Sequence, residues 1–132
     1  MTDLYNLRDA FGFFGTKATN HVWGWSAVSE DQKTVAVTIW SDSVGPDGVV
    51  DKFGHPELDW WKDRLGNKDR IKNFKIARAN CGGVFRVVWI EAEAQGAKVR
   101  SIARARPIID WAMKLTDLNE ETGEFRAIRV PA

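Results

Sequence analysis

Cysteine is almost absent from this chain. The single thiol, Cys81, excludes an internal disulfide and any cysteine-rich zinc site. Histidine is nearly as scarce: His21 and His55 stand outside any HExxH or HxH spacing, so no metal ligand set can be drawn and none is expected. No apolar run approaches the roughly 20 residues of a membrane span. The opening segment, residues 1–10, lacks the basic start and apolar stretch of a signal peptide, so a cytoplasmic protein is expected. GxSxG, P-loop and GxGxxG patterns are missing, and no pair of carboxylates is singled out by spacing. Asp42 and Asp59 stand beside tryptophans, where solvation or capping is the simpler role. No catalytic residue and no cofactor is therefore assigned.

What is present is tryptophan and positive charge. The 132 residues, 44% hydrophobic and 28% charged, suit one domain spanning residues 1–132. The clearest periodicity lies in residues 20–28 and 34–42, which hold three of the seven tryptophans. Both segments alternate with period two and are rich in aromatic and β-branched residues, which predicts an antiparallel hairpin with residues 29–33 as its turn. The expected register sets Val28 against Thr34, Trp25 against Val37 and Trp23 against Ile39. Trp23 and Trp89 lie in strongly apolar strands and are expected in the core. Trp25 and Trp40 are open to either role. Trp60 and Trp61 are adjacent, so on a helix at least one approaches the surface.

The net charge of +1 conceals an asymmetry: residues 62–106 carry +8 and the remainder −7. One strongly positive face fits a phosphate backbone, although solvated helix lysines give the same pattern. A helix is predicted over residues 3–14, ended by Gly15, and a short strand over residues 49–53. One or two helical turns are expected within residues 57–65. A longer helix is predicted over residues 67–80, with Asn67 as N-cap and Ile71, Phe74, Ala77 and Cys81 as its buried stripe. Lys68, Arg70, Lys72, Lys75 and Arg78 are its expected solvent positions. Val84 to Ala92 reads as a central strand. Lys98 to Arg106 reads as a strand with one cationic parity, broken or edged at Pro107. Residues 111–116 and 125–130 read as a final strand pair around the turn at 120–123. The order predicts an α+β fold: a strongly curved, mostly antiparallel sheet or small open barrel with helices packed on one side.

The blocks Asn20-x-x-Trp23-Gly24-Trp25-Ser26-Ala27 and Val35-x-Val37-x-Ile39-Trp40-x-Asp42, with the ending at residues 115–127, resemble small bacterial proteins and domains attached to HNH-type restriction endonucleases. No nuclease motif accompanies them, so that resemblance implies no catalysis here. The layout is also similar in outline to the PUA-like group, including EVE, ASCH and YTH domains. That likeness implies a curved sheet with an aromatic pocket for a modified or extruded base.

The expected function is a non-catalytic nucleic-acid-binding module, reading DNA or RNA and a candidate reader of modified bases. Trp25 or Trp40 would grip a base, with Asn20, Ser26 or Asp42 bonding its polar edge. Lys68, Lys72, Lys75, Arg104 and Arg106 would hold phosphates. Two other readings stay open: a protein-interaction domain or homodimer anchored by tryptophans, and a small-molecule enzyme with its pocket against the hairpin.

Overall fold

A computed structural model describes residues 7–18, 25–54, 58, 62–92 and 102–132. Among these, the chain runs α1 (Leu7–Phe13), β1 (Thr16–Lys17), β2 (Ser26–Ser29), β3 (Val35–Trp40), a 3-10 turn (Ser41–Ser43) and β4 (Val49–Asp51). It continues through α2 (Leu65–Asn80), β5 (Val84–Ala92), β6 (Ile102–Pro107), β7 (Trp111–Leu118) and β8 (Phe125–Pro131). The strands form one sheet in the order β1-β2-β3-β5-β7-β8-β4, with β6 also paired to β5. The β3–β5 pair is parallel and every other pair antiparallel. A parallel pair needs a long crossover, and the segment containing α2 supplies it. The fold is thus α+β with a mostly antiparallel sheet that does not close into a barrel. The sheet curves where the first residues of β5 pair with β7 and its later ones with β6.

The central strands are apolar because both their faces are covered. On one face Val35, Val37, Ile39, Phe85 and Val87 meet Phe74 and Ala77 of α2. Phe74 is fully buried, with ring centroids 5.3 Å from Phe85 and 4.8 Å from Phe125. Burial of a phenylalanine of this kind contributes about 1.5–3 kcal/mol, plus a smaller aromatic-pair increment. On the opposite face Ala36, Val88 and Ile90 meet Ala10 and Phe11 of α1. The helices are therefore divided between the two faces and not gathered on one. Gly15, at φ 72°, ends the α1 segment as expected.

The hairpin is antiparallel, but its register is one residue away from expectation. Ser26 stands opposite Val37, Ala27 opposite Ala36 and Val28 opposite Val35. The turn decides this. Asp31 Oδ1 accepts from the Ser29 hydroxyl and the Lys33 amide, at 2.6 and 3.0 Å, while Gln32 takes a left-handed φ of 59°. Ser29 then pairs with Thr34, its amide donating to the Thr34 carbonyl at 2.9 Å. With β3 buried on both sides, apolar alternation cannot select a register.

Helix α2 also departs from expectation. It starts at Leu65, with Arg64 in the cap position and no side-chain cap bond, so Asn67 is not its N-cap. Asn67 is instead fully buried in the first turn. Arg70, expected in solvent, is only 8% exposed. Ile71 and Cys81 of the expected stripe are only partly buried, and Gly66, Asn67, Arg70 and Asn73 extend the buried face in their place.

Candidate functional site

Among the described members of the base-gripping set, Ser26 and Trp40 lie on opposite faces of the sheet. Asn20 and Trp23 lie outside the described residues, as do His21, His55, Asp59, Trp60, Trp61, Lys98 and Arg100. Trp25 is half-buried, and its carbonyl accepts from the Thr38 amide and hydroxyl at 2.9 and 3.1 Å. Its indole lies on the backbone of α2, where a Cβ at Gly66 would come within 2.6 Å of the ring. Ser26 is 1% exposed, and its hydroxyl accepts a 2.8 Å bond from the Asn73 amide. Trp40 packs on the other face, with the α1 cluster. The sheet therefore separates Ser26 from Trp40. Asp42 is exposed in the 3-10 turn.

Asn67, Arg70 and Asn73 recur every three residues and make a polar seam along the buried side of α2. Asn67 Nδ2 donates to the Lys62 and Thr122 carbonyls at 2.9 and 2.8 Å, and its Oδ1 accepts from Arg70 at 3.2 Å. Gly123, at φ 84°, passes so close to the Asn67 amide that a Cβ there would overlap it. The Arg70 guanidinium lies 5.0 Å from the Trp25 ring and 4.9 Å from Phe125. Burial pushes its pKa down to about 9, which still leaves it charged at neutral pH. The seam is a clasp between α2, the hairpin and the β7–β8 turn.

The predicted phosphate contacts are exposed. Lys68, Lys72 and Lys75 line the outer side of α2, at the i, i+4 and i+7 spacing that shares one helix face. Glu120 meets that row, 3.4 Å from Lys75 and 3.9 Å from Arg78. Arg104 and Arg106 are exposed on β6, with Ala105 buried between them, as the parity predicted. Arg106 stands directly across from Trp89, and Arg104 across from Glu91.

Here the structure adds residues that the sequence reading missed. Trp89, expected in the core, is half-buried at its rim. Its ring lies edge-to-face with Trp111, at 5.8 Å and 89°. The exposed Arg129 guanidinium sits 5.1 Å from the Trp111 ring. Nothing local set Trp89 apart from the rest of its apolar strand, because its neighbours come from three separate elements.

Other chemistry is sparse among the described residues. No group of three His, Cys, Asp or Glu side chains is placed to hold a metal. No helix is long and apolar enough to cross a membrane. Cys81 donates a 3.3 Å bond to the Lys33 carbonyl. Burial, aided by the Asp31 carboxylate, pushes its thiol pKa up, away from a nucleophile's range. Two open depressions lie among the described residues, one beside Asp117, Glu120 and Glu121, the other beside Arg8, Asp9 and Lys17, and no described tryptophan lines either. Comparison with protein-family models, with curated proteins and with solved structures finds no match to the chain.

Proposed function

We propose that this chain is a non-catalytic nucleic-acid-binding module. The observation that carries this reading is that two rows of exposed cations open to the same side of the sheet. Helix α2 covers the face that includes Val37, Val87 and Trp89, and Lys68, Lys72 and Lys75 line its outer side. Arg106, directly opposite Trp89 in the antiparallel β5–β6 pair, leaves the sheet on that face, and Arg104 follows two residues earlier. Cations gathered in this way attract phosphate and release its counterions. Base contact in this reading falls to the indoles that stand beside the arginines, Trp89 and Trp111.

The test is fluorescence anisotropy of the full chain against DNA and RNA oligonucleotides over a salt series. The logarithm of affinity should fall linearly with the logarithm of salt concentration. A single Arg106→Ala change should reduce the slope by about one counterion. Combined Lys68→Glu, Lys72→Glu and Lys75→Glu should remove non-specific binding without loss of the cooperative melt. Absence of binding to any oligonucleotide, with a sedimenting dimer that Arg106→Ala splits, would establish the protein-interaction reading instead.

A further inference from the structure

We infer that Trp89 and Trp111 form the stacking platform of a single-strand site, and that Arg129 yields its place on Trp111 to an incoming base. The inference rests on the nucleic-acid reading above and names its strand class. Four side chains run in a row, one on each of the strands β6, β5, β7 and β8. Arg106 faces Trp89 across β5–β6, Trp89 meets Trp111 at 5.8 Å, and Arg129 lies 5.1 Å from the Trp111 ring. The order is cation, indole, indole, cation.

Both indoles pack against the core and keep part of their surface open, while both arginines are exposed. The rings are therefore held from below before any ligand arrives, which reduces the ordering cost of binding. A guanidinium is planar and stacks on aromatic faces much as a base does. Arg129 thus marks where a base would lie, and it is long enough to turn from the ring to the neighbouring phosphate. Glu91 faces Arg104 across the strand pair, and the exposed Asp110 precedes Trp111. Arg106 and Arg129, at the two ends of the row, are accordingly the phosphate contacts.

A duplex keeps its base faces inside its own stack, so only an unpaired strand can offer them to this row. The row also lies on a sheet face, as in the sheet-based single-strand binders, and not on a helix that could enter a groove.

Three probes test the inference on the unmodified protein: an oligothymidylate of about 12 nucleotides, within the usual range of single-strand site sizes, an abasic strand of equal length, and the matching duplex. The thymidylate should bind roughly 5- to 150-fold more tightly than the abasic strand, the range that base–indole stacking supplies. It should also quench tryptophan fluorescence, and Trp111→Leu should erase the preference while leaving duplex binding within about twofold. If Trp111→Leu fails to fold, the comparison of thymidylate with abasic strand decides alone. Equal affinity for those two strands, or a preference for duplex, overturns the stacking platform while nucleic-acid binding stands. Failure of all three probes at low salt overturns the nucleic-acid reading itself, and this inference with it.

Discussion

Replacement of Asn67 separates two descriptions of the start of α2. An N-cap asparagine exchanges with serine at little cost and with alanine for about 1 kcal/mol. The buried clasp predicts otherwise. Asn67 makes two bonds to backbone carbonyls, at 2.9 and 2.8 Å, and takes one at 3.2 Å from a charged guanidinium. Neutral hydrogen bonds contribute about 1 kcal/mol each and the charge-assisted one about 2, so Asn67→Ala should cost about 4 kcal/mol. That is comparable to the loss of a core phenylalanine and a large fraction of the 5–15 kcal/mol, roughly, that holds a domain together. Asn67→Ser should cost nearly as much, because serine is too short to reach both Lys62 and Thr122. Urea denaturation followed by circular dichroism measures the difference, with the exposed Lys72→Ala as a control expected within about 0.5 kcal/mol of the parent. An Asn67→Ser protein as stable as the parent would refute the clasp.

Two further perturbations probe the surface and the hairpin turn. Glu120→Gln frees Lys75 and Arg78 from their acid, and an exposed pair of this kind contributes only about 0–1 kcal/mol to stability. The melting temperature should hold while the salt slope for oligonucleotides steepens by up to about two counterions; an unchanged slope would place the α2 lysines outside the interface. Asp31 has its pKa lowered from 3.8 by the Ser29 hydroxyl and the Lys33 amide. The folded state thus holds its carboxylate more readily than the unfolded chain, so its contribution is complete above pH 3.8 and fades as pH falls through the folded pKa. The stability gap between the parent and Asp31→Ala should close over that acid range. A gap that stays constant there would mean the carboxylate charge does not stabilise the turn.

Much of the fold was legible because its signals are local. The period-two parity of Arg104 and Arg106, the apolar run of β5, and the glycine that ends α1 each act within a few residues. The register of β2 on β3 was not legible, because Ala36 and Val37 are both fully buried, on opposite faces. The buried side of α2 was misread for a related reason. Lys68, Lys72 and Lys75 form one helical stripe and Asn67, Arg70 and Asn73 another, and both look polar. Only Phe74 and Ala77, which adjoin the second stripe, mark it as the buried one. The proposed site was the least legible part. Trp89 acquires its meaning from Arg106, Trp111 and Arg129, which reach it through strand pairing and not through sequence spacing.

Among the described residues, arginines lie on aromatic rings at Trp25 and Phe125, at Phe14 and at Trp111, and the distances barely differ: 5.0, 4.9, 5.0 and 5.1 Å. Burial is what divides them. Arg70 is 8% exposed between Trp25 and Phe125, and each aromatic contact to such a desolvated cation contributes about 2 kcal/mol. Arg86, over Phe14, also donates to the Ile108 and Ile109 carbonyls at 3.1 and 3.3 Å, so leaving the ring would break two backbone bonds. Arg129 is exposed, and its hold on Trp111 contributes about 0.5–1 kcal/mol. In the proposed site a base stacked in its place would contribute about 1–3 kcal/mol, and the released guanidinium would gain a phosphate. On these magnitudes the exchange would be favourable at Trp111 and unfavourable at Trp25 or Phe14. The same ring chemistry that fastens α2 to the sheet at one end is weak enough, at the solvent-facing end, to be traded for a ligand.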